Sequence, residues 1–202
     1  ATIISDRHLG VGSDGLILIL PSKAADCKMR IFNADGSEAQ MCGNGIRCVV
    51  KYMYDHKIAQ KNPLTVETLA GTKTIQLFTE NGRVSSATVN MGKPKLMRSE
   101  IPMIGKETQV IDEKLTVRDG TSFRITCVSM GNPHCVIFVD NFDKINLPQH
   151  GAEIERHKSF PERTNVHFVQ IHNSKEVTMK TWERGSGITL ACGTGASAVC
   201  VA

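Results

Sequence analysis

Gln40-Met41-Cys42-Gly43-Asn44-Gly45-Ile46-Arg47-Cys48 is the stretch whose reading decides the fold, because the chain returns to it 150 residues later as Leu190-Ala191-Cys192-Gly193-Thr194-Gly195-Ala196. Each copy sets a cysteine before Gly-x-Gly. In the same frame Met29-Arg30-Ile31-Phe32-Asn33 falls over Met179-Lys180-Thr181-Trp182-Glu183, so a basic residue, an aromatic and a polar side chain recur just ahead of each cysteine. Further upstream Gly15-Leu16-Ile17-Leu18-Ile19 falls over Asn165-Val166-His167-Phe168-Val169, two strand-like runs in register. This is an internal repeat, one strongly diverged unit used twice.

Each Cys-Gly-x-Gly precedes a helical pattern, which places the sulfur at a helix N-terminus, where unpaired backbone N–H groups favour an anion. A thiol there drops from a pKa of about 8.5 towards neutrality and becomes a usable thiolate. The glycines let backbone approach a ligand closely, and the exposed amides can hold a carboxylate or phosphate. Two such units facing one molecule would set a thiol on either side of it. That arrangement suits inversion of a stereocentre, one sulfur removing a proton and the other returning one to the opposite face.

Other readings of the cysteines are weaker. A lone cysteine usually packs as a small hydrophobe, but duplication of the whole context argues against that here. Cys42-x5-Cys48 and Cys192-x7-Cys200 lack the close spacing of structural zinc sites, so no metal is expected. A redox pair would share its second cysteine between the copies, whereas Cys48 aligns with Ala198 and Cys200 with Val50. Cys48 and Cys200 are therefore expected in the helix cores. Cys42-x4-Arg47 is one residue short of the phosphatase loop, and Gly10-x-Gly12-x-x-Gly15 precedes a strand-like run, where a dinucleotide fingerprint would follow one.

The 202 residues suffice for one large domain or two small ones. A net charge of +4 without basic runs, and few aromatics among the lysines, exclude nucleic acid as a partner. Seven cysteines, an odd number without small-domain spacing, point to a reducing compartment. No signal peptide or membrane-length apolar run is present, so a cytoplasmic location and no membrane partner are expected. The first residue is not Met and Ala202 falls inside a helical pattern, so both termini are expected to be cut or unresolved.

Strands are expected at 16–20 and 28–33, then a turn at Asn33-Ala34-Asp35-Gly36. Ile46, Val49, Val50, Met53 and Tyr54 form a helical stripe ending near His56-Lys57. Alternating strands fill 64–89, with Asn81-Gly82 as a hairpin turn. Met91-Gly92-Lys93-Pro94 breaks the pattern, giving an N-terminal repeat domain at 1–91 and a C-terminal one at 92–202. Residues 95–122 look like a polar, irregular connection. Strands follow at 124–129, 136–139, 166–171 and 177–182, with a loop at Gly131-Asn132-Pro133-His134 and a short helix at 154–160. The cheapest account of Glu153, Glu155, Arg156 and Lys158 is a solvated face.

Taken together, Asp6-Arg7-His8-Leu9-Gly10-Val11-Gly12-Ser13-Asp14-Gly15, Phe32-Asn33-Ala34-Asp35-Gly36-Ser37, Met41-Cys42-Gly43-Asn44-Gly45, Met130-Gly131-Asn132-Pro133-His134, Arg163-Thr164-Asn165-Val166 and Trp182-Glu183-Arg184-Gly185-Ser186-Gly187 through Ala191-Cys192-Gly193-Thr194-Gly195 resemble the diaminopimelate epimerases over nearly the whole chain. Proline and hydroxyproline racemases share the paired cysteines but typically carry His at the position of Asn44 and lack the Trp-Glu-Arg-Gly-Ser-Gly run. The resemblance implies an α+β fold of two pseudo-symmetric β-rich domains, each wrapped round a central helix, with the active site in the interdomain cleft. It implies cofactor-independent interconversion of LL- and meso-2,6-diaminopimelate, an amino-acid substrate. Cys192 would take the proton from the LL form and Cys42 would donate one. It further implies that His134 and Glu183 tune cysteine protonation, and that Asn33, Gly43, Asn44, Asn132, Asn165, Glu183, Arg184, Gly193 and Thr194 bind substrate. Many members have Gln where this chain has Gly15. The family's Gly-Asn motif ahead of the first repeat has no counterpart in this sequence, so the site is expected to be incomplete. A homodimer is left open.

Overall fold

The helix after Cys42 forms where its stripe predicts it. In the computed structural model, which describes residues 1–202, it runs Gly43–Asp55 and buries Ile46, Val49, Val50 and Met53 along one face. Cys48 lies off that stripe and is exposed, which corrects the expectation of a core thiol, and Cys200 in the second such helix is exposed as well.

The contacts divide the chain into two compact units, Ala1–Gly92 and Lys93–Ala202. The first begins with a four-residue helix α1 (Thr2–Ser5) and continues through β1 (Gly15–Leu20), β2 (Cys27–Asn33), β3 (Glu38–Ala39), the Gly43–Asp55 helix α2, β4 (Leu64–Thr68), β5 (Gly71–Glu80) and β6 (Arg83–Val89). Its sheet runs β1-β2-β4-β5-β6 with β3 beside β2. Asn81 and Gly82 both adopt positive φ in the β5–β6 turn, the conformation that an Asn-Gly hairpin turn provides. The core gathers Met29, Met41, Leu64, Val66, Ile75 and Leu77 against the α2 stripe.

In the second unit β7 (Glu113–Thr116), β8 (Ser122–Ser129), β9 (Pro133–Phe138), helix α3 (Leu147–Glu155), β10 (Asn165–Asn173), β11 (Glu176–Glu183), β12 (Gly187–Thr189) and helix α4 (Gly193–Val201) follow in order. The sheet order is β12-β11-β10-β9-β8-β7, and β9 and β10 are parallel. The protein is thus mixed α/β, with two sheets and helices in each unit. None of its helices is long and apolar enough to cross a membrane.

The repeat is visible in strand register. Leu16 pairs with Phe32 and Ile17 with Ile31; 150 residues on, Val166 pairs with Trp182 and His167 with Thr181. Phe32 pairs with Glu38 and Trp182 with Ile188, the same offset again.

Three further expectations fail. Residues 95–122 are not a mere connection, since Ile101, Val110, Leu115 and Val117 enter the core and β7 extends the sheet. Its apolar residues, in Ile101-Pro102-Met103-Ile104, Val110-Ile111 and Leu115-Thr116-Val117, come in short groups too far apart to carry one period across the stretch. The short helix is Leu147–Glu155 rather than 154–160; Asn146 caps it by accepting the Gln149 N–H at 3.2 Å, with Pro148 in the first turn. His134 lies in β9 rather than in a loop.

Replacing Ile46 by Ala should lower unfolding free energy by roughly 2–5 kcal/mol, while Cys48→Ala on the exposed side should change it by less than about 0.5 kcal/mol. Chemical denaturation of both variants checks this; equal losses would contradict the assigned helix face.

Candidate active site

Both cysteines are N-cap residues with nearly the same backbone: φ/ψ of −138°/114° at Cys42 and −130°/108° at Cys192. Each Sγ accepts the N–H of the third residue on, Gly45 or Gly195, at 3.3 Å. A sulfur thus occupies the place where an Asn, Asp or Ser oxygen normally satisfies a first-turn amide. Cys192 is 5% exposed and Cys42 intermediate.

The second glycine after each cysteine lies close over a strand side chain. A Cβ on Gly45 would sit 2.7 Å from Ile17 Cδ1; one on Gly195 would sit 2.3 Å from His167 Cε1 and 2.7 Å from Nε2. Ile17 and His167 occupy the same place in the repeat. The first unit therefore supports its helix terminus with a flexible methyl, the second with a fixed imidazole ring.

Around Cys192 the predicted residues come together. Thr194 Oγ1 lies 3.5 Å from Cys192 Sγ and accepts from Asn132 Nδ2 at 3.3 Å. Asn132 Oδ1 is 2.9 Å from His134 Nε2, and His134 Nδ1 is 2.8 Å from His167 Nε2. His167 Nδ1 is 3.0 Å from Thr181 Oγ1. Burial, then His167 and the Arg184 guanidinium, hold His134 well below the ordinary histidine value, and burial pushes His167 down to about 3. Both rings are therefore neutral near pH 7.

His134, His167 and Cys192 offer donor atoms that all lie within 4.8 Å of one another. The two facing ring nitrogens already satisfy each other, and their outer nitrogens are taken by Asn132 and Thr181. The cluster is a hydrogen-bond network in this arrangement rather than a ligand set.

The remaining predicted residues sit mostly at element ends: Asn165 opens β10, Asn33 and Glu183 close β2 and β11, and Arg184 enters the turn that follows. Asn165 Nδ2 donates to the Pro133 carbonyl at 2.8 Å, and its Oδ1 accepts the Arg184 N–H at 3.0 Å. Arg184 Nη1 donates to the Glu162 carbonyl at 3.0 Å, and Glu183 Oε1 accepts from Thr189 Oγ1 at 2.6 Å. In the first unit Asn33 Nδ2 donates to Ser37 Oγ at 3.0 Å, and Asn44 Oδ1 accepts from Arg47 Nη2 at 2.6 Å. Gly43 and Gly193 open their helices directly after the cysteines.

Two contributors were not singled out from sequence. Glu155 is 1% exposed rather than part of a solvated face. Its carboxylate accepts Trp182 Nε1–H at 2.8 Å and the Gly185 N–H at 3.1 Å, with Arg163 Nη1 3.7 Å away. One turn earlier Gly151 lets α3 close on Trp182, whose Cβ would stand 2.7 Å from an added Cβ. Glu155 thereby fixes the turn that carries Glu183 and Arg184. His167 is the other; its alignment with Ile17 across the repeat was the available signal.

A family model described as Diaminopimelate epimerase matches residues 1–97 and 126–202. The chain is 53% identical over 199 residues to a diaminopimelate epimerase of Methanococcus maripaludis, covering 98% of this chain and 72% of that protein. It is 54% identical over 202 residues to one of Pelotomaculum thermopropionicum, covering 100% and 72%. Among solved structures, a hydroxyproline epimerase from Agrobacterium vitis with bound trans-4-hydroxy-L-proline superposes with a TM-score of 0.74 at 17% identity, covering 98% of this chain and 62% of that one. A probable proline racemase from Agrobacterium radiobacter gives 0.71 at 18% identity, covering 92% and 58%. These two likenesses speak to the fold alone.

Because a rigid ring underlies Gly195 and a flexible methyl underlies Gly45, Gly195→Ala should destabilise by about 1–3 kcal/mol and Gly45→Ala by clearly less. Thermal unfolding of the pair measures the difference; a Gly45 variant that lost more would contradict the packing described.

Proposed function

This chain belongs to the diaminopimelate epimerase family, and from that premise we propose that it interconverts LL- and meso-2,6-diaminopimelate by two-cysteine proton transfer, without a cofactor, in lysine and peptidoglycan precursor synthesis. The observation that carries this reading is the duplicated cap: two sulfurs in the same backbone geometry, each facing a helix N-terminal amide.

For LL substrate, Cys192 as thiolate takes the α-proton. The Cα–H bond breaks as S–H forms, and the electron pair stays on the substrate. Cys42, as thiol, then gives its proton to the opposite face and is left as thiolate. The reverse reaction exchanges the roles. An α-proton is a very weak acid, so amides at both helix termini and a dry pocket must stabilise the carbanion-like charge. This scheme requires the two pseudo-symmetric domains to present their helix termini to one substrate in a shared cleft, and to close on it.

In this reading Asn33, Gly43, Asn44, Asn132, Asn165, Glu183, Arg184, Gly193 and Thr194 bind substrate. The short side-chain bonds of Asn165 and the tie between Glu155 and Gly185 support such a role for the 183–184 turn, because they hold it before ligand arrives. His134 acts on Cys192 as a neutral, oriented ring.

Loss of either thiol should remove catalysis: Cys42→Ser and Cys192→Ser should each lower turnover by about two to four orders of magnitude, the usual weight of a positioned acid or base. Turnover is followed by NMR as loss of the α-proton signal in D2O, with LL-diaminopimelate and separately with L-proline. Exchange only with diaminopimelate is expected. Exchange only with proline would replace this reading by a proline-type racemase, and retained turnover in either Ser variant would end the two-base scheme.

A further inference from the structure

The bonds around Cys192 have a direction. Asn132 uses its amide nitrogen as donor to Thr194 Oγ1 at 3.3 Å, so its Oδ1 is left as acceptor for His134 Nε2 at 2.9 Å. A neutral His134 that donates from Nε2 has a lone pair at Nδ1. That lone pair needs a donor, which His167 supplies from Nε2 at 2.8 Å. A neutral His167 protonated at Nε2 has its own lone pair at Nδ1, 3.0 Å from Thr181 Oγ1, a hydroxyl able to donate. Thr194, already accepting from Asn132, keeps its proton for the sulfur 3.5 Å away.

Resting on the assignment of Cys192 as one of the two bases, we propose that His167 and Thr181 are positioning residues. They lock His134, Asn132 and Thr194 in the polarity that presents a hydroxyl donor to Cys192 Sγ and so hold this sulfur as the resting thiolate.

Every donor in the relay is neutral and every one points towards the sulfur, which already accepts the Gly195 N–H at 3.3 Å. Hydrogen bonds that favour the charged form stabilise a thiolate without a cationic partner. The relay is buried throughout: His134 and His167 are 0% exposed, Thr181 3% and Thr194 2%. In such surroundings an unmet lone pair is costly, so the tautomers are held firmly. The strands packed against α4 are β8, β9 and β10. Their buried titratable side chains are Cys127 on β8, His134 and Cys135 on β9, and His167 on β10. Cys135 is kept protonated by its bond with Cys127 and by burial. The charged groups at the edge are Arg184, which further disfavours protonation of His134, and Glu183, bonded to Thr189. In the first repeat the places of His167 and Thr181 are taken by Ile17 and Ile31, which can donate nothing.

The pH dependence of iodoacetamide alkylation tests this without requiring turnover, so it can fail independently of the epimerase assignment. The rates at Cys192 and Cys42 are read by peptide mass spectrometry from the same digest. His167→Phe keeps a ring but removes the donor. At pH 7 it should lower Cys192 alkylation at least about threefold and move the midpoint of its profile to higher pH, with Cys42 unmoved. Thr181→Val should do the same to a lesser extent. His167→Gln, whose amide nitrogen reaches the position of Nε2 and can donate to His134, should recover most of the reactivity. If the Phe variant does not fold, the Val and Gln variants decide between them. Unchanged Cys192 profiles in folded variants would overturn the proposal, as would Cys42 shifting alongside Cys192.

Discussion

A single interaction, a sulfur accepting the third-residue N–H of a helix, governs this molecule. It bears on why a glycine stands three residues after each cysteine. The chain has to turn from extended backbone into a helix while its first turn lies against a strand side chain. Where the cap is sulfur, the donors of the first turn also face whatever the sulfur reacts with. Local structure and chemistry are thus one constraint, and it is met twice. The preceding strand pairs differ in sequence but keep the same register, so each helix starts at the same place relative to its sheet.

The two copies share geometry but not polarity. Beneath Gly45 the first unit places Ile17, opposite Ile31; beneath Gly195 the second places His167, opposite Thr181. An apolar pair and a polar pair fill equivalent space. Two-base inversion needs such inequality at each moment, since one sulfur must be charged while the other carries a proton. The repeat supplies the shared backbone geometry at each sulfur, and we propose that the residues under each glycine supply the difference in proton affinity.

Much of this was legible in the chain. The Cys-Gly-x-Gly pair and its upstream echo located both helices and the strands before them, because backbone requirements at a cap are local. What escaped depends on distant partners. Glu155 carries a charge among other charged residues, and only Trp182 and Gly185, 27 and 30 positions away, make it an interior acceptor. Cys48 follows a helix stripe closely enough to pass for core until the stripe's exact face is seen. Ile101 and Val110 sit in short apolar groups within a polar stretch, and nothing short of the packed sheet shows that they anchor it. His167 stood in plain view in the repeat alignment, but its meaning required seeing the ring under Gly195.

Isotope position at early conversion tests the central claim most directly. LL-diaminopimelate is incubated in D2O until a few per cent has reacted, and substrate and product are analysed separately for α-deuterium. Two cysteines acting from opposite faces predict deuterium in the meso product and almost none in recovered LL substrate, because the thiol formed by abstraction returns the same proton. Label appearing equally in both would mean one exchanging base, a product that retains the original proton would mean one base that does not exchange, and either would contradict the account.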